Sequence, residues 1–311
     1  MTIRRLFDFL HRIIIPLLLK TVILFIIVTW GTFTLMNVLP EKQIAHVEHT
    51  IDKSKGEEDS YLIWLGNVLK GDFGYSDYFK GFRIQSKLFG YFITTITLCV
   101  ITLVISGIIG VLIGILVAQG RSEFLHHSTN KSYKVISSSL LYIIYFLSSF
   151  PAYILAYIIF FASQSQLNLF YPIISLVLGS SLTMDILRTT SVSFQEELNK
   201  PYIINALALG FGTNGLLPSP RQVSNHAFRN ALVVILPVIS SRLPMIISNA
   251  IIVEIVFELP GLSEPLLGGV INKDIHLVLA VVAVSVFFIQ VSMLAIEFVS
   301  FALSPFKYRL E

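Results

Sequence analysis

Charged residues are scarce in this sequence. Asp, Glu, Lys and Arg supply 13% of its 311 residues, about half the ~25% of an ordinary soluble domain. With so little charge, most of the surface cannot face water. Cysteine is scarcer still: Cys99 stands alone inside an apolar run, which excludes an internal disulfide and reads as a packed thiol. The net charge of +3 comes with no Lys/Arg stripe of the kind that follows a phosphate backbone, so nucleic acid is not expected as a partner. No G-x-x-x-x-G-K-[ST] occurs, so the chain itself is not expected to hold ATP in a P-loop. No internal repeat and no low-complexity tract is present.

Apolar residues are abundant, at 54% with a mean hydropathy of +0.77. They fall into six stretches: Ile13–Val38, Tyr91–Ala118, Val135–Ala162, Leu169–Leu187, Ala231–Phe257 and Ile275–Ala302. Each is long enough to cross a bilayer as a helix, at about 20 residues per crossing. Helices are favoured because backbone groups in lipid must satisfy one another. The first stretch follows Arg4, Arg5 and Arg12, as a signal peptide would. It is a full span in length and no Ala-x-Ala-like site follows, so an uncleaved helix is expected. The fold class predicted is an all-α membrane protein with six transmembrane helices.

Six spans leave both termini on one side. The terminal side carries 12 basic residues against five acids; the other side carries eight basic residues against 11 acids. Positively charged loops favour the cytoplasm, so both ends of the multi-pass chain are expected there. The resulting layout is a cytoplasmic N-terminus (1–12), a first helix (13–38), an extracytoplasmic loop (39–90), a core of five spans (91–303) and a cytoplasmic tail (304–311). Within the core, 191–230 is a long cytoplasmic segment. Trp64 and the tyrosines near it suit a membrane interface.

Several features resemble sites without meeting the tests for one. Gly210-Phe211-Gly212-Thr213-Asn214-Gly215 is a formal G-x-G-x-x-G, but it follows a helix-forming stretch and no strand, so it reads as a helix stop and turn. His126 and His127 beside Glu123, and His46 and His49 near Glu48, lack a third ligand in fixed geometry. No metal site and no hydrolytic constellation is expected.

Ionisable residues inside spans are costly and default to functional hypotheses. Asp185 and Arg188 are spaced i, i+3 on the fourth span and could pair. Arg242 lies near the middle of the fifth span between Pro237 and Pro244. It must face a cavity or a carboxylate, and structural pairing and pathway lining are both open to it. Gly107, Gly110, Gly114, Gly179 and Ser180 are small enough for close helix approach.

Four stretches carry a resemblance. They are Trp64-Leu65-Gly66-Asn67-Val68-Leu69-Lys70-Gly71-Asp72-Phe73-Gly74-Tyr75-Ser76; Glu197-Leu198-Asn199-Lys200-Pro201-Tyr202 running into Ala206 and Gly210; His226-Ala227-Phe228-Arg229-Asn230-Ala231-Leu232; and Val253-Glu254-Ile255-Val256-Phe257-Glu258-Leu259-Pro260-Gly261-Leu262, with Asp274 at the place of a later acid. Together and in this order, the sequence resembles the permease subunits of dipeptide, oligopeptide and nickel ABC importers, and among these the first of the two permeases. It departs at Ile204, Asn205, Leu207 and Leu209, in a longer stretch between Gly210 and His226, at Ser263, and in a tail reading Ser304-Pro305-Phe306.

The resemblance implies the type I importer permease fold with a long outer loop after the first helix. It implies that Tyr202, Asn205, Ala206 and Gly210 belong to the segment resting on an ATPase. Arg229, Asn230, Glu254, Pro260 and Gly261 fall at family-motif positions. The implied partners are a second homologous permease, two ABC ATPase subunits that bind the ATP, an extracytoplasmic solute-binding protein and membrane lipid. No cofactor is expected in this chain, and no enzyme activity. The implied cargo is a peptide or peptide-like solute, with nickel or a metal chelate as the alternative. An ion-coupled secondary transporter is the alternative from another class; it would call for inverted repeats and mid-bilayer carboxylates.

Overall fold

The computed structural model describes residues 15–38, 61–121, 131–163, 169–202, 205 and 221–303. The elements are α1 (Ile15–Val38), α2 (Tyr61–Val68), β1 (Tyr75–Ser76), β2 (Phe82–Arg83), α3 (Ile84–Arg121), α4 (Lys131–Ser148), α5 (Ala152–Ala162), α6 (Phe170–Gly179), α7 (Leu182–Leu198), α8 (Arg221–Val256), α9 (Ser263–Ile271) and α10 (Ile275–Leu303). A two-residue antiparallel ribbon, with Tyr75 opposite Arg83 and Ser76 opposite Phe82, is the single sheet among the described residues.

Among the described residues, four helices are long and apolar enough to cross a membrane, and the count reaches six if each of two bent pairs is one span. The third and fourth of the six apolar stretches are each broken. The third breaks between Ser148 and Ala152, and α4 and α5 meet at 93°. Pro151 sits at the break with φ −58° and ψ 143°; it lacks an N–H and pushes the residue before it out of the helical region. The fourth breaks at Ser180–Ser181, with 49° between α6 and α7. Ser181 takes φ 55°, a left-handed conformation unusual for a residue with a Cβ. Pro237 and Pro244 lie inside α8, each removing one backbone hydrogen bond.

The chain divides into two compact units. One joins Met1–Ile96 to Glu258–Gln290; the other joins Thr97–Phe257 to Val291–Glu311. In the first, Tyr61 and Trp64 are 7% and 4% exposed and pack on Leu279 and Ala283. The Tyr61 hydroxyl lies 2.7 Å from Thr29 Oγ1. These rings are core, not interface anchors, because α2 turns them onto the apolar faces of α1 and α10. The chain after α2 is stopped by Gly71 at φ 84°. The Asp72 N–H bonds back to the Asn67 carbonyl and the Gly71 N–H to that of Val68, the paired bonds of a glycine-closed helix end.

In the second unit, α8 has its most extensive packing against α7 and also packs on α5 and α6. Three of the expected close approaches are present. A Cβ on Gly110 would fall 2.8 Å from Ile186 Cγ2, one on Gly114 2.6 Å from Thr190 Cβ, and one on Gly179 2.5 Å from the Ala152 backbone. Gly107 has nothing within 4 Å of that position, so it is not a contact glycine here.

Candidate translocation and coupling site

The α7–α8 seam brings opposite charges together at the fourth and fifth apolar stretches. Residue numbers rise along α7 as they fall along α8: Ser181 Oγ lies 3.9 Å from Met245 Sδ, and one helical turn on, Arg242 Nε lies 2.9 Å from Asp185 Oδ2. The partner of Asp185 is therefore Arg242 of the neighbouring helix. Arg188, one turn along on α7, is exposed. Asp185 Oδ2 is shielded from solvent yet has no aligned hydrogen bond, so the approach of the guanidinium is a charge contact off the N–H axis. The two side chains keep 41% and 26% of their surface exposed. Ser180 Oγ, Thr190 Oγ1 and Ser191 Oγ, and Asn249 Nδ2 of α8, are also shielded without a hydrogen-bond partner among the described residues. Arg242 and Asn249 are seven apart and so share one face of α8.

At the far end of α7, Glu197 is buried and accepts hydrogen bonds from Lys200 Nζ and, at 3.0 Å, from the Tyr202 hydroxyl. This clasp fixes the direction in which the chain leaves the helix. Tyr202 and the helical Asn205 are exposed; Ala206 and Gly210 lie outside the described residues. Arg229 and Asn230 are in the early turns of α8, with side chains outside the description. Glu254 is fully buried on the same helix.

The other motif positions belong to the first unit. Pro260 and Gly261 form the turn before α9; the Gly261 N–H bonds to the Leu259 carbonyl at 2.8 Å, and the Leu262 N–H donates to Thr95 Oγ1 at 2.9 Å. Asp274 binds two elements at once. Its Oδ1 accepts the Leu277 N–H at 3.0 Å, capping α10, and its Oδ2 accepts the Ser76 hydroxyl at 2.5 Å and the Tyr78 N–H at 3.3 Å. Glu264 accepts from Tyr91 at 3.0 Å and from Tyr78 at 3.4 Å. Burial first, and then the Glu264 charge, raise the Tyr78 phenol above its usual value, so it remains a donor at neutral pH. The sequence carried a signal for Asp274, a capping residue immediately before an apolar run, but none for its second partner nearly two hundred positions away. Replacing Asp274 by alanine removes a cap and strands the Ser76 hydroxyl. A loss of about 1–3 kcal/mol is expected, read as a lowered unfolding temperature in detergent. Stability equal to the parent protein would show that the clasp is dispensable.

Comparison with known proteins fits this arrangement. A family model described as "Binding-protein-dependent transport system inner membrane component" matches residues 110–306. The metal-staphylopine import system permease protein CntB of Staphylococcus aureus is 25% identical over 310 residues, covering 91% of this chain and 93% of that protein. The oligopeptide transport system permease protein AppB of Bacillus subtilis is 23% identical over 317 residues, covering 94% and 95%. The oligopeptide transport system permease protein OppB of Haemophilus influenzae is 26% identical over 259 residues, covering 80% and 79%. The matched region takes in the glycine contacts of α3, both broken spans, the α7–α8 seam and all of α10. A multi-pass helical chain whose larger part fits this one model belongs to the family of binding-protein-dependent transport system inner membrane components, as a permease subunit of an ABC importer.

Proposed function

We propose that this permease forms half of the route for a peptide or peptide-like solute and is driven by ATP hydrolysed on separate subunits. The observation that carries the reading is likeness along nearly the whole chain to permeases named for oligopeptide transport. The working unit is this chain, a second homologous permease, two ABC ATPase subunits and an extracytoplasmic solute-binding protein. Both termini lie in the cytoplasm, as the distribution of basic residues favours. The 191–230 segment, with Tyr202, Asn205, Ala206 and Gly210, rests on an ATPase. The Glu197 clasp supports that role, since a lever needs a fixed root where it leaves α7. Closure of the ATPase pair then moves the segment and shifts the spans between inward-open and outward-open arrangements, each favoured by different contacts. Chemistry stays with the ATPases; this chain binds, orients and admits.

Import of a metal chelate by the same architecture is the second reading, favoured by the likeness to a permease named for metal-staphylopine import. The test of the importer reading is co-purification followed by reconstitution. A tagged chain is expected to bring down a P-loop ATPase and to support uptake that stops when that ATPase is deleted. Uptake that continues without it, driven by an ion gradient, would replace this reading with a secondary transporter.

A further inference from the structure

Arg242 sits near the middle of the 25-residue span Leu232–Val256, about 15 Å from its start at 1.5 Å per residue. A guanidinium at that depth cannot be left facing hydrocarbon. Nor is it sealed inside the chain, because 41% of its side chain is open. The surface beside it is not uniformly apolar. Around Arg242 the exposed positions of α8 are Ser241, Pro244, Met245 and Ser248, with Val234, Ile252 and Ile255 toward the ends of the span, whereas those of α1 are mostly leucines, isoleucines and valines. The Ser241 and Ser248 hydroxyls bond back to the Val238 and Pro244 carbonyls, the usual way a hydroxyl is accommodated on a helix. On α7 the span contributes Asp185, and the outward positions past it, Arg188, Val192 and Glu196, run on toward the 191–230 segment. Around the Asp185–Arg242 pair the two helices thus present charge and serine hydroxyls at a depth where lipid would demand apolar groups.

We propose that this face lines the water-filled route, and that Arg242 is the point at which the route reads a carboxylate on the passing solute. Asp185 occupies the guanidinium when no solute is there. The geometry suits exchange. The contact is made through Nε, and the carboxylate oxygen gains charge proximity without an aligned hydrogen bond. A guanidinium carries five N–H donors in a fixed fork, and a carboxylate approaching the remaining donors can bind with two parallel bonds. Asp185 keeps the cation from standing alone between solutes, and its charge helps release the bound carboxylate afterwards. The chemistry is shared by two cargoes, a peptide with a free C-terminus and a metal chelate held by carboxylates. The inference rests on the importer reading but names the residue and the group recognised.

The test uses the complete reconstituted importer with Cys99 replaced by alanine. Asp185→Cys, Arg242→Cys and Ser241→Cys are each introduced, the last because serine to cysteine barely disturbs the fold. Water-soluble methanethiosulfonates are applied, one anionic (ethylsulfonate) and one cationic (ethyltrimethylammonium), with rates normalised to a free thiol. All three positions should be modified, at rates that change when ATP and vanadate trap the ATPases. Asp185→Cys, where Arg242 remains, should favour the anionic reagent by about tenfold; Arg242→Cys should reverse the preference. Trialanine, or a nickel–citrate chelate, should protect Ser241→Cys, and trialanine amide should not. Protection by trialanine alone identifies the peptide source, and by the chelate alone the metal source.

No modification in any state, with ATPase activity intact, would place the pair against the second permease and overturn the inference while the importer reading stands. Protection by neither acid, or equal protection by the amide, would overturn carboxylate recognition. Charge-selective modification indifferent to ATP and vanadate would instead sink the ATP-driven reading and leave the pathway assignment in place.

Discussion

A methyl group at Gly114 is expected to destabilise this permease by about 1–3 kcal/mol, the usual range for overpacking a close contact. The added Cβ would lie 2.6 Å from Thr190 Cβ and 2.8 Å from the Leu187 carbonyl oxygen. One of these is backbone, so the strain cannot be relieved by turning a side chain; α3 and α7 must separate. Separation would also loosen the cluster of Val117, Leu141, Met184 and Leu187 that packs beside it. Gly107 is the internal control. It sits on the same helix with nothing within 4 Å, so Gly107→Ala should be neutral or gain the ~1 kcal/mol by which alanine exceeds glycine in a helix. Thermal unfolding of the two variants side by side in one detergent gives the comparison. If Gly114→Ala melts no lower than Gly107→Ala, the close approach of α3 to α7 is not present in the membrane.

Gly210→Pro is expected to reduce uptake by tenfold or more while the spans insert normally, a change of at least about 1.4 kcal/mol in the coupling equilibrium. The argument begins at Glu197. Its carboxylate holds Lys200 and Tyr202, so the chain leaves α7 in a fixed direction. Gly210 lies outside the described residues, but the resemblance puts it at the end of the segment resting on the ATPase. A proline there removes an N–H and forbids the positive φ that a glycine helix stop uses. Solute-stimulated ATPase activity should fall together with uptake, since in the proposed coupling role the segment carries the signal in both directions. Full activity in a correctly inserted Gly210→Pro variant would remove 191–230 from the coupling role.

The α7–α8 seam shows why a site is less legible than a fold. Asp185 and Arg188 stand one turn apart, and local spacing made them natural partners; the carboxylate instead meets Arg242, which lies 57 positions later in sequence. Nothing in the spacing of either residue encodes the antiparallel register of the two helices. The rings of Tyr61 and Trp64 fit an interfacial role by composition, yet they are core because α2 folds onto α1 and α10. The breaks are an intermediate case. Pro151 is a helix disruptor by residue type, although hydropathy runs Val135–Ala162 together as one stretch; the left-handed Ser181 carries no such mark, since serine has no such preference.

By itself the sequence determined membrane residence, the order of the apolar stretches and the motifs that mark an importer permease. These follow from sums over neighbouring residues: hydropathy accumulates along a segment, and each helix satisfies its own backbone whatever surrounds it. Tertiary structure alone decided which glycines bear contacts, which charge faces Asp185, and that Asp274 joins the turn at Ser76–Tyr78 to the start of α10. Each of those depends on two distant stretches arriving at one place, and the energy that selects the match resides in neither stretch alone.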